Sequence, residues 1–120
     1  MKRNMDLARA ILLELEKCPF TGERHDIVIE GCAPEDISYH ILLLYEAGFI
    51  DAERMTRYKG YHEWKAKTIT WHGHEFLESS RDPTRWEKAK DVIKQKGAAM
   101  TLDALKTVLT ELVHRTLAGA

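Results

Sequence analysis

At 120 residues, with 18 Lys and Arg against 19 Asp and Glu, the chain has a formal charge of −1, which excludes a globally basic nucleic-acid binder but not a locally basic surface. Hydrophobic residues at 44% and charged residues at 31% fit one soluble globular domain. No apolar run approaches the roughly 20 residues of a membrane span, and the basic start at Lys2 and Arg3 runs into Asp6, Arg9, Glu14 and Glu16 rather than an apolar signal core, so a cytoplasmic protein is expected.

Asn4 is placed to cap a helix whose apolar stripe is Met5, Ala8, Ile11, Leu12 and Leu15, with Pro19 ending it. A turn follows around Thr21 to Arg24. Residues 25–30 read as a short strand, because three β-branched residues stand together at Ile27, Val28 and Ile29. Pro34 suits the first position of a second helix, and Glu35 and Asp36 in its first turn oppose the positive dipole end. Ile37, Ile41, Leu44 and Tyr45 are its predicted buried stripe, and Gly48 its stop. Residues 49–57 and 61–69 read as two strands turning near Lys59 and Gly60. Thr70 caps a short helix through Trp71, Phe76 and Leu77. Asp82 and Pro83 start another with Trp86, Ala89 and Ile93 inward, stopped by Gly97. Thr101 caps a last helix with Leu102, Leu105, Leu109, Leu112 and Val113 on one side. Cys18 and Cys32 read as free thiols of a reducing compartment, since no CxxC or Cys/His grouping surrounds them.

The charge is unevenly spread. Residues 25–53 hold seven carboxylates (Asp26, Glu30, Glu35, Asp36, Glu46, Asp51 and Glu53) and no Lys or Arg. The hairpin that follows carries Arg54, Arg57, Lys59, Lys65 and Lys67 against Glu63, with Tyr58, Tyr61 and Trp64 interleaved. A basic hairpin with aromatics can follow phosphates, or it can be a solvated hairpin packed on the body.

The segment Ile37-x-x-His40-Ile41-x-x-Leu44-Tyr45-Glu46-Ala47-Gly48-Phe49-Ile50 is similar to the recognition-helix end of MarR-like winged-helix proteins, and Thr68-Ile69-Thr70-Trp71-His72-Gly73-His74-Glu75-Phe76-Leu77 resembles their exit from the wing. More closely, the chain resembles a small family of bacterial and prophage proteins known as a domain of unknown function. The matching features are the start through Leu7, the Ser38-Tyr39-His40 and Tyr45-Glu46-Ala47-Gly48 segments, and Gly73-His74-Glu75-Phe76-Leu77 followed by Arg81-Asp82-x-x-x-Trp86. The resemblance implies a mostly α fold with a small β-hairpin: a winged helix-turn-helix over 1–80, with C-terminal helices over 81–120 in one folding unit. About 16 residues separate the first helix from Pro34, so the usual middle helix must be very short, merged or absent.

Two functions follow. In a phage- or prophage-type DNA-binding regulator, double-stranded DNA meets Arg54, Arg57, Lys59, Lys65 and Lys67 on the wing, and Ser38, Tyr39 and His40 on the helix. In a degenerate winged helix, an acidic face with Tyr39, Leu42 and Leu43 exposed takes a basic protein partner. Leu102, Leu105, Leu109 and Leu112 form either a homodimer seam or an internal packing face. His72, His74, His62 and Glu75 are close in sequence, but the resemblance accounts for Gly73 to Leu77 as a helix start, and no metal site or cofactor is expected. No phosphate-cradling glycine loop, GxSxG or HExxH occurs, and no enzyme is expected.

Overall fold

The computed structural model describes residues 1–56 and 62–119, with His62 as backbone only. In chain order the elements are α1 (Met5–Glu16), α2 (Pro34–Glu46), β1 (Ile50–Thr56), β2 (His62–Ile69), α3 (Trp71–Ser80), α4 (Pro83–Gln95) and α5 (Leu102–Ala118). The protein is mostly helical, with one antiparallel two-stranded hairpin. It divides into two compact units, residues 1–74 and 75–120.

In the first unit, α1 packs on α2 and β2, and α2 packs on both strands. Asn4 caps α1 by accepting from the Leu7 N–H at 3.2 Å. The expected α1 stripe is buried, joined by Leu7. Pro34 opens α2 without a side-chain cap. Gly48, at φ +80°, closes it: its N–H reaches the Tyr45 carbonyl at 3.0 Å and the Phe49 N–H reaches the Leu44 carbonyl at 3.0 Å. That is the paired bonding of a Schellman stop, with Phe49 and Leu44 both buried behind it.

The segments 37–50 and 68–77 meet at the root of the hairpin. Thr70 Oγ1 donates to the Gly48 carbonyl at 2.6 Å, and the Thr70 N–H donates to the Phe49 carbonyl at 3.0 Å. The same hydroxyl accepts from the Gly73 N–H at 3.2 Å, capping α3. A Cβ on Gly73 would overlap the Phe49 carbonyl oxygen and come 2.7 Å from Ile69 Cγ2. Glycine is required there by contact, not by backbone angle.

Two expectations are corrected. Residues 25–30 do not form a strand: His25 makes one isolated bridge to Ala66, and 26–29 have no ladder. Strand propensity expresses how well a residue fits a paired, half-buried surface, and this run leaves the hairpin after a single hydrogen bond. Tyr45, placed in the buried stripe of α2, is exposed and stacks on Trp64 with ring centroids 5.5 Å apart. The inward positions are filled instead by Ser38 and His40. Trp71 is 77% exposed, because the inward face of α3 is supplied by Gly73, Phe76 and Leu77. Between α1 and α2 the chain has turns and no helix, so the middle helix of a helix-turn-helix is absent.

In the second unit α4 packs on α5, and Phe76 meets Trp86 edge-on at 6.2 Å. Asp82 caps α4 through the Thr84 and Arg85 N–H groups at 2.8 and 3.0 Å. Gly97 stops it with the bonding seen at Gly48, and Thr101 caps α5. Leu105, Leu109 and Leu112 are buried within the chain and Leu102 is half-buried. The stripe proposed as a dimer seam is therefore largely consumed by the chain's own packing, because its period matches the face that α5 turns inward.

Candidate interaction surface on α2 and the hairpin

Ser38 and His40 face inward. Ser38 is 8% exposed, and its Oγ accepts from the Trp64 N–H at 2.9 Å. This side chain occupies the outer edge of β2, where a third strand would otherwise pair. His40 is 1% exposed. Its Nε2 accepts from the Asn4 N–H at 2.8 Å and its Nδ1 lies 2.7 Å from the Asp36 carbonyl. The carbonyl can only accept, so Nδ1 holds the proton and both ring nitrogens are committed. Neither residue can reach a base edge without losing a bond to the protein's own backbone. Of the three helix candidates for DNA contact, only half-buried Tyr39 remains at the surface.

The outward stripe of α2 is Glu35, Tyr39, Leu42 and Glu46, spaced i, i+4, i+7 and i+11 along one face. The carboxylates at its ends are exposed, and Tyr39 and Leu42 between them are half-buried, as is Leu43 alongside. Asp36 adds a further exposed carboxylate at the helix start.

Among the described residues, the hairpin cations Arg54 and Lys65 do not share one face. Arg54 lies opposite Trp64, and Lys65 lies opposite Glu53. Neighbouring positions on a strand point to opposite faces, so Arg54 and Lys65 are on different sides of the sheet. Arg54 is exposed. Lys65 is ion-paired with Asp26 and stands 3.6 Å from Glu63. Lys67 has no cross-strand counterpart, because the register slips between Asp51 and Ala52. On the acidic side, Glu53 pairs with Arg24 at 3.6 Å. Arg57, Tyr58, Lys59 and Tyr61 lie outside the described residues, as do the turn at Gly60 and the His62 side chain. His72 and His74 are exposed, and no group of three or more metal-ligating side chains occurs among the described residues. Cys18 and Cys32 are half-buried free thiols.

Sequence reasoning missed a groove of about 320 Å³ beside the hairpin, lined by residues 25–28, Cys32, Pro34, Ile37, Ser38, Ile41 and 63–65. Its apolar floor comes from Ile27, Ile37, Ile41 and Trp64. The signal that could have found it is the β-branched run after His25, which bonds to β2 once and then leaves it. No described helix is long and apolar enough to cross a membrane.

The family described as "Hypothetical protein (DUF2513)" matches residues 2–99. A Haemophilus influenzae (strain ATCC 51907 / DSM 11121 / KW20 / Rd) protein, described as "Uncharacterized protein", is 39% identical over 121 residues, spanning 98% of this chain and all of the relative. No solved structure matches the chain significantly. The match from Lys2 through α4, with a full-length relative at that identity, means that the chain belongs to the DUF2513 family.

Proposed function

We propose that this protein is a winged-helix-like domain, without the middle helix, that works as a protein-interaction module in a reducing compartment. The observation that carries this reading is the outward face of α2, where Tyr39 and Leu42 lie between the exposed carboxylates of Glu35 and Glu46. Interface centres are depleted in charge and their rims are polar. A phosphate track needs cations, because backbone charge neutralisation dominates affinity for DNA. The partner that fits is a basic, partly apolar protein surface.

A second reading, DNA binding through the hairpin, draws on exposed Arg54 and on Arg57 and Lys59 in the sequence. Fluorescence anisotropy with a labelled random duplex, titrated from 50 to 200 mM salt (roughly the range over which phosphate-driven binding collapses), separates the two. The expected result is weak binding that does not change with Arg54→Ala or Lys67→Ala. Tight binding whose salt slope drops by about one unit per substitution would overturn the interaction reading. In parallel, Leu43→Asp is expected to release a cross-linked protein partner while leaving the circular dichroism spectrum unchanged.

A further inference from the structure

Residues 26–29 run beside β2 without joining it. The His25 N–H bonds to the Ala66 carbonyl at 2.8 Å, and the Cys32 N–H bonds to the Ile29 carbonyl at 3.2 Å. Among the described residues, Ile27 and Val28 make no backbone hydrogen bond. Their side chains nevertheless alternate as in a strand: Ile27 and Ile29 are half-buried, and Val28 is 79% exposed. A β-branched run with open backbone groups is a template for another extended chain. The groove adjoins it, with Ile27, Ile37, Ile41 and Trp64 available to an apolar side chain. The groove itself is lined also by Asp26, Glu63 and Lys65, the lysine pairing with both carboxylates, and near its lining in sequence stand the exposed carboxylates of Glu30, Glu35 and Asp36. Two of these lie between Pro34 and Ile37, which line the groove.

We infer that residues 26–29 and the adjoining groove receive an extended, cationic segment of a partner protein by strand addition. This rests on the interaction reading and names the partner's chemistry. Backbone groups of an extended chain alternate between its two edges, so Val28, out of phase with the β2-bonded His25 N–H, pairs with the backbone of the segment. One of its apolar side chains enters the groove. Its Lys or Arg residues alternate with the apolar ones and meet Glu30, Glu35 and Asp36. Charge selects the occupant: seven carboxylates and no cation lie between residues 25 and 53, and a like-charged copy of the same edge is repelled.

The test uses the full chain and an acetylated, amidated heptapeptide of alternating Lys and Val, followed by amide NMR. Saturable shifts at the Ile27 and Val28 amides and at the Trp64 indole, with new exchange protection at Val28, are expected. A peptide N-methylated at alternate backbone nitrogens should bind about tenfold more weakly, the factor set by loss of one or two net hydrogen bonds. A Val28→Pro variant should lose a similar factor. Val28 is exposed and makes no backbone hydrogen bond, and an unchanged circular dichroism spectrum checks that the variant keeps the fold. Glu35→Lys with Asp36→Lys should weaken binding further, and the effect should fade with added salt. Equal binding of the methylated peptide, or no binding at millimolar peptide, overturns the inference. Shifts confined to Tyr39, Leu42 and Glu46 overturn it too, but leave the interaction reading standing. Concentration-dependent protection of Val28 without peptide, with a dimer mass in sedimentation equilibrium, overturns it in favour of a second copy.

Discussion

Helices α2 and α4 share a plan. Each has 13 residues, begins with proline and ends on a glycine of positive φ with two bonds back to the last turn. They differ in what satisfies their polar groups. Helix α4 looks after itself: Asp82 caps it, Lys94 sits in its last turn, and Lys90 pairs with Glu87 one turn back at 3.0 Å. Helix α2 has no side-chain cap and carries Glu46 in its last turn, against the dipole. Its buried polar side chains serve other elements, Ser38 the backbone of β2 and His40 that of Asn4. A helix held by long-range bonds can keep an outer face chosen for something other than helix stability. Glu35 and Asp36 still complement the dipole at its start, but Glu46 has no such structural role.

The sharpest break in that contrast is Gly73→Ala. The added methyl collides with backbone at the root of the hairpin, and overpacking against an element that cannot yield should cost about 3 kcal/mol or more, read as a fall in the urea midpoint. Gly97→Ala at the stop of α4 meets no atom within 4 Å and should cost only the left-handed strain, about 1–2 kcal/mol. Equal losses for the two would remove the distinction.

Next in size is Ser38→Ala, which strands the part-buried Trp64 N–H and should cost about 1–2 kcal/mol. Hydrogen exchange at Trp64 should accelerate along with global unfolding, and an unchanged rate would show that the bond carries nothing. Smaller still is Glu46→Lys, expected to stabilise α2 by about 0.3–1 kcal/mol through the dipole while weakening partner capture. A variant both more stable and fully competent in binding would deny the outer face its role.

The mildest effect concerns α4 and acid. The Arg85 N–H, then the Thr84 N–H and the charge of Arg85, hold the Asp82 carboxyl below its ordinary value, with desolvation opposing them. A lowered folded value means that its contribution is complete above the unfolded carboxyl range and disappears as pH falls through the folded value. Thermal midpoints of the native chain and of Asp82→Asn, which keeps the cap without a titrating group, should draw together as pH drops through that window. Curves that stay parallel would deny the charged cap its contribution.

Much of the fold was legible from local chemistry. Asn4, Pro34, Asp82 and Thr101 open helices, and Gly48 and Gly97 close them, because capping involves residues within a few positions of one another. The β-branched run at 27–29 misled because strand formation needs a distant partner, which propensity cannot supply. Tyr45 was assigned to a buried face because helical periodicity gives a face to within about one residue, and only the neighbours decide which edge of it is covered. The inward turn of Ser38 was hidden for the opposite reason: polar side chains go inside only where a specific backbone group awaits them. The hairpin cations were visible as a cluster in sequence, but the strand register divides Arg54 from Lys65, and Asp26 lies far from Lys65 in sequence.

Asn4 does two jobs at once. Its side chain holds the Leu7 N–H, and its own N–H is held by His40. Fraying of the first turn of α1 therefore releases a buried imidazole in the next helix, so the two cannot open as separate events. Amides at the start of α1 should exchange on the timescale of α2, and any leader fused ahead of residue 4 must leave that nitrogen its partner.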